Sequence, residues 1–284
     1  MTALAARGCT QPSDTELFAT VEETIEIVET RPAQGATGVA RSSPVELCLS
    51  RTIDPGAIDR THVAIFSGAV WFDSTLEIQL FATHPDPSDP DDRPWCPGSV
   101  ISVRPRGAFE GGIQYRVRVQ PSAIGWAGEP LDTETAGWVA PDSEDELPLF
   151  WLEFTTAEEL EDPSPEIPGP TLEELFAPGA IFDPEATTCG CHREEGSLAR
   201  ALLDLSTPSR AYRDLVLEDR VGSTGYPMVA PRVPAESYLI HTLLRDADGH
   251  ALRGVLGDPM PPGEPASYAH ALSLVRWIEA GALR

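Results

Sequence analysis

Tyr115-Arg-Val-Arg-Val119 decides the reading of the first half of the chain. Its apolar side chains fall at every second position with Arg116 and Arg118 between them, which is the period of a half-buried strand. The same texture extends outward in both directions, through Val45, Leu47 and Leu49, Val63-Ala-Ile-Phe66, Trp71 to Phe81, Val100 to Val103, and Leu149 to Phe154. Pro, Gly and Asp break these runs at short intervals, so they read as the strands of an antiparallel sandwich. From about Thr171 the apolar residues recur at three and four instead. Leu198, Leu202, Leu205 and Leu272, Val275, Ile278 carry that spacing, which predicts helices.

Between the two textures lies the stretch 158–170, where Pro163, Pro165, Pro168 and Pro170 keep the backbone extended and remove amide donors. It reads as a semi-rigid acidic linker. Residues 10–30 carry acids without a basic residue and little apolar periodicity, so 1–30 reads as a tether. Ahead of it, Ala6-Arg-Gly-Cys9 has the small residues and Cys of a lipoprotein signal end, although too little chain precedes Cys9 for an apolar core. Cys9 is therefore a candidate lipidation site and a means of membrane anchoring, with an ordinary terminus as the alternative.

The 284 residues hold 45 acidic and 20 basic side chains, a formal charge of −25. Such a chain repels phosphate backbones and anionic headgroups, so a nucleic-acid partner is not expected and a charged protein partner is expected to be basic. No apolar run approaches the ~18 residues of a membrane span. The 41% hydrophobic content is enough for a packed core, which excludes a wholly disordered chain.

Arg31-Pro-Ala-Gln-Gly-Ala-Thr-Gly-Val39 opens a series of phrases continued by Ser43 to Ser50, Ile53-Asp-Pro55, Tyr115 to Val119, Gly128-Glu-Pro-Leu131 and Phe154-Thr-Thr156. In content and order the series resembles the S-layer-type Ig-like domain of bacterial surface proteins. The resemblance spans about 31–157 and implies an all-β Ig-like sandwich that serves as a spacer or presentation module. Within it, Cys48 and Cys96 are candidates for a disulfide, which needs an oxidising compartment. Two half-buried thiols are the alternative. Asp86-Pro-Ser-Asp-Pro-Asp-Asp92 offers Ca²⁺-type oxygens but lacks a glycine turn and a spaced Glu, and reads as a solvated loop.

The chemistry of the second half centres on Thr188-Cys189-Gly-Cys191-His192. A c-type haem is attached at Cys-x-x-Cys-His, and here one spacer residue is missing. On an α-helix, residues two apart point ~200° from each other, so both thiols do not reach one macrocycle in the usual way. The surroundings are Leu172 to Phe176, Ile181-Phe-Asp183, Val229 to Ile240, Gly257-Asp-Pro-Met-Pro-Pro-Gly263 and Val275-Arg-Trp-Ile-Glu-Ala-Gly-Ala282. Together they resemble a bacterial cytochrome-c-like domain over about 110 residues.

That resemblance implies a small all-α domain over 171–284 and haem c as cofactor. Cys191 is the thioether expected first and Cys189 the doubtful second. His192 and Met260 are the expected iron ligands, with Met228 as a spare. The chain then reads as an extracytoplasmic electron carrier, periplasmic or on the outer surface, that meets a redox partner protein and is not an enzyme. The reading from another class is a cell-surface structural or binding protein without haem. A structural zinc lacks its second Cys/His pair. His241, His250 and His270 read as surface or amphipathic-helix residues, and Trp277 as core beside Leu274 and Ile278. No Gly-x-Ser-x-Gly, His-Glu-x-x-His or phosphate-cradling loop is present, and the chain has no Lys.

Overall fold

In the computed structural model the alternating runs pair into two sheets, and the structure describes residues 24–83, 94–140, 147–160, 168–185, 189–218, 221–245, 249–252 and 254–284. The strands are β1 (Ile27–Arg31), β2 (Ala36–Val39), β3 (Val45–Leu49), β4 (Val63–Ser67), β5 (Val70–Phe72), β6 (Ser74–Gln79), β7 (Val100–Pro105), β8 (Gln114–Val119), β9 (Trp138–Val139) and β10 (Leu149–Thr156). The first sheet has the order β1-β3-β7-β6. The second has β2-β10-β8-β4-β5, with β9 also on β10. All pairings are antiparallel except that of β2 with β10.

Alternation does what the sequence requires of it. Along β10 every second residue is buried, and in β8 Tyr115, Val117 and Val119 face inward while Arg116 and Arg118 face out. Opposite them stand Val45, Leu47, Leu49, Ile101 and Val103 of the first sheet, and the two inner faces close one apolar core. Phe109, Tyr115 and Phe154 pack ring to ring within it, and the Tyr115 hydroxyl accepts the Glu110 amide at 2.9 Å. Ile25 and Ile27 are also buried there, so the last part of the stretch read as a tether belongs to the sandwich.

Cys48 and Cys96 are joined by a disulfide with a Cα–Cα distance of 5.5 Å. With Ala82, Trp95 and Val100 they form a small second core, over which the Arg31 guanidinium lies 4.0 Å from the Trp95 ring centroid. The Asp86–Asp92 loop and Cys9 lie outside the described residues.

The expected all-α second domain is not what the chain builds. The described α-helices after residue 170 are α1 (Leu172–Leu175), α2 (Leu198–Leu202), α3 (Pro208–Tyr212), which runs on into a π-helical turn over Arg213–Leu217, α4 (Tyr238–Leu243) and α5 (Tyr268–Glu279), and among the α-helices only α5 exceeds six residues. Helices of one or two turns do not hold themselves up in water. They draw instead on the sandwich, because Leu80 is a buried member of their core and Ile78, Phe81 and Trp126 pack against it. The architecture is therefore β-rich, two sheets with short helices seated on them, and not a sandwich followed by a separate helical domain.

The seam has a physical logic. β6 is the outer strand of the first sheet, and an open strand edge invites wrong pairing. Pro234, Ala235, Val275 and Glu279 lie along it. Further along the seam, the Tyr226 hydroxyl donates to Asp54 Oδ1 at 2.9 Å and the Tyr268 hydroxyl donates to the Ala82 carbonyl at 2.8 Å. Gly169 packs against the back of α5, where a Cβ would lie 2.3 Å from the Arg276 carbonyl oxygen, so only glycine fits.

Candidate ligand cavity

The helices enclose a cavity of about 210 Å³. Its walls are mainly apolar, from Ile181, Phe182, Leu203, Leu205, Leu239 and Leu274. Cys189, His192, Met228, Met260 and His270 also line it. Side chains singled out in the sequence up to 81 positions apart thus meet in one space, and short local structures explain how each gets there.

Thr171 starts α1 with a capping box, in which its hydroxyl accepts the Glu174 amide and the Glu174 carboxylate accepts the Thr171 amide. The chain then turns back so that the Phe182 amide donates to the Leu175 carbonyl, which carries Ile181 and Phe182 into the cavity wall. Gly190–His192 is a 3-10 turn. With three residues per turn, positions three apart eclipse and positions two apart do not. Cys189 and His192 therefore share the cavity side while Cys191 is exposed and outside the lining. Of the two thiols it is Cys189, expected as the doubtful one, that faces the cavity.

His192 is held by its own neighbourhood. Its Nδ1 lies 3.1 Å from the Ala199 carbonyl oxygen and 3.1 Å from that of Leu203. Carbonyls only accept, so Nδ1 carries a proton, and in the neutral imidazole Nε2 is then the acceptor. The arrangement also occupies the last carbonyls of α2, where the chain leaves the helix at Leu203.

That exit changes the expected leucine stripe. Leu198 and Leu202 are 75% and 61% exposed, while Leu203 and Leu205 point inward. An ionic cluster pins the turn. Asp204 accepts from the Ser206 amide and from Arg210 Nη1, both at 2.9 Å, and Arg200 Nε lies 3.4 Å away. Burial works against the Asp204 charge, but these partners hold its carboxyl well below the usual carboxylate range. Buried Asp214 takes the Asp204 amide at 2.7 Å and pairs with Arg213.

On the opposite wall, the Met260 amide donates to the Thr242 carbonyl at 2.6 Å and Arg245 Nη2 donates to the Pro261 carbonyl at 2.7 Å, which fixes the 257–263 loop to the end of α4. Met228 enters beside α4 through the Leu239 amide, which donates to its carbonyl at 3.0 Å. His270 Nε2 donates to the Gly179 carbonyl at 3.0 Å.

His241 is a correction. It lies on a helix, α4, as one of its two expected placements has it, but fully buried and not at the surface, with Nε2 donating to the Ala235 carbonyl at 2.7 Å and Nδ1 accepting from the Thr224 hydroxyl at 3.0 Å. The Trp126 and Tyr226 rings meet it edge-on, and burial holds its pKa below the ordinary histidine value. Trp277 is core as expected, with its indole N–H on the Leu283 carbonyl at 2.7 Å.

The cytochrome description does not survive these observations. There is no separate all-α domain, Cys191 stands away from the cavity, and no group of three or more His, Cys, Asp or Glu among the described residues is placed to hold a metal ion. The donor types at His192 and Met260 suit a haem iron, and the pocket as it stands, about 210 Å³, is smaller than the ~300–1,000 Å³ of drug-sized ligand pockets. A larger groove, about 760 Å³, runs between β1 and β10, where Arg116 and Glu153 form an ion pair at 2.6 Å. It gathers none of these chemistry-bearing side chains. Among the described residues no helix is long and apolar enough to cross a membrane.

No protein-family model matches the chain, and no curated protein matches it. Several solved structures resemble it weakly, among them three of one bacterial surface protein. The N-terminal part of the bacterial S-layer protein SbsC is 12% identical with a TM-score of 0.27, over 48% of this chain and 24% of that one. The longer rSbsC(31-844) structure is 12% identical with a TM-score of 0.28, over 52% and 16%. Domains 1-6 of surface layer protein SbsC are 12% identical with a TM-score of 0.29, over 54% and 17%. This chain thus spans a quarter or less of those proteins.

Proposed function

We propose that the chain is an extracytoplasmic, cell-surface binding protein whose β-rich body carries one small apolar ligand cavity. The observation behind this reading is the cavity itself, an apolar space of about 210 Å³ in which a few polar and sulfur groups converge. The buried Cys48–Cys96 disulfide supports an oxidising compartment. A lipid on Cys9 is the proposed anchor, and the charge of −25 favours a basic protein at any docking surface.

The test is thermal unfolding of the full chain with toluene as the probe. A ligand that binds only the native state raises the midpoint, by about 2.7 kcal/mol of stability at a hundred times Kd. Saturating toluene is expected to raise the midpoint of the native sequence and to leave Ala266→Phe unmoved, since Ala266 lines the cavity and a phenyl ring there fills it. No shift in the native sequence overturns the reading. A Soret band retained through denaturation, after export with a c-type maturation system, replaces it with haem binding.

A further inference from the structure

We propose that the cavity selects a neutral single-ring alcohol, a phenol in chemical class, whose hydroxyl donates to His192 Nε2. This rests on the cavity being a binding site and goes on to name what it takes. The polarity follows from the two carbonyls, of Ala199 and Leu203, that share the Nδ1 proton. In its neutral form an imidazole so fixed offers an acceptor to the other side, and the complementary ligand group is a donor. Three other polar side chains of the lining have protein partners, while Asp258 stands exposed at its edge. The Thr242 hydroxyl donates to the Leu239 carbonyl at 2.8 Å, His270 Nε2 donates to Gly179, and the Tyr238 hydroxyl lies 3.0 Å from the Ser223 hydroxyl.

Size and charge narrow the class. A dry apolar cavity of ~150 Å³ takes benzene, so about 210 Å³ holds one ring with a small substituent. Met228 and Met260 bring thioethers to the lining, and sulfur packs well at aromatic ring edges. A carboxylate fits poorly, because the Nε2 lone pair repels an anionic oxygen and exposed Asp258 stands in the lining.

Calorimetric titration with p-cresol, toluene and benzoate separates the outcomes. p-Cresol is expected to bind about fivefold to tenfold more tightly than near-isosteric toluene, the size of one net hydrogen bond, and benzoate most weakly. In His192→Phe the preference for p-cresol over toluene is expected to vanish. Because His192 also serves the end of α2, its ¹⁵Nε2 resonance in the native sequence gives a second readout, and it should move with p-cresol and not with toluene. Equal affinity for p-cresol and toluene overturns the phenol assignment and leaves the cavity reading standing, as does a stationary ¹⁵Nε2 resonance with p-cresol bound. Tightest binding of benzoate overturns the assigned polarity. Binding of none of the three overturns the cavity reading itself.

Discussion

Leu80→Ala tests whether the helices and the sandwich are one folding unit. Leu80 follows β6 in sequence, is 3% exposed, and belongs to the core built by α1, α4 and α5. Truncation removes three carbons at ~0.8 kcal/mol each, about 2.4 kcal/mol, and the unfilled space raises the loss to about 3 kcal/mol. At 1.4 kcal/mol per tenfold, protection of the α4 and α5 amides that exchange by global opening should fall about 100-fold. Urea unfolding gives the companion measurement, followed by far-UV circular dichroism and by tryptophan fluorescence. One coincident transition is expected in the native sequence, moving as a whole to lower urea in the variant. Two transitions, with Leu80→Ala displacing neither midpoint, would refute the shared core and restore two independent domains.

Two further outcomes follow from buried groups. Removing the disulfide with Cys48→Ser and Cys96→Ser together frees a loop with a sequence separation of 48, for which chain-entropy arithmetic gives about 4 kcal/mol, read as a lower urea midpoint. An unchanged midpoint would show that the bridge contributes nothing to native stability. His241 has a folded-state pKa held below 6.5 by burial, so as pH falls below 6.5 the unfolded chain takes up a proton that the native protein does not. Its contribution is present above that value and is lost as pH falls through the folded pKa. His241→Phe should therefore flatten the fall of the urea midpoint between pH 7 and pH 5, and identical slopes in the two proteins would assign the acid sensitivity elsewhere.

The sandwich was legible because each strand of its core announces itself locally. β8 and β10 alternate residue by residue, and burial on one face is enough to fix which side chains point in. β1 was hidden by its acids. Ile25 and Ile27 carry an alternation two positions long, too short to stand out from Glu22, Glu23, Glu26 and Glu29, and only pairing with β3 reveals the strand. α5 was legible at Leu272, Val275 and Ile278, where the stripe continues for three turns and its centre is buried. The equally regular Leu198, Leu202, Leu205 series misled because the helix stops at Leu203. Periodicity reports a face only while the helix lasts. The burial of His241 had no local signal at all, since Trp126 lies more than a hundred residues before it.

The cavity shows why motif geometry and motif identity are separate kinds of information. Cys189, His192 and Met260 were chosen for haem chemistry, yet what brings two of them together is the 3-10 turn, whose three-residue period replaces the α-helical angle that had set Cys189 aside. The fixed tautomer of His192 depends in turn on the end of α2, a five-residue helix that cannot persist alone and is pinned by Asp204 and the Arg residues around it. Met260 reaches the same space only because its loop is tied to Thr242 and Arg245. The core behind both walls extends to Leu80. The placement of the acceptor nitrogen against the sulfur groups therefore rests on the seam between helices and sandwich.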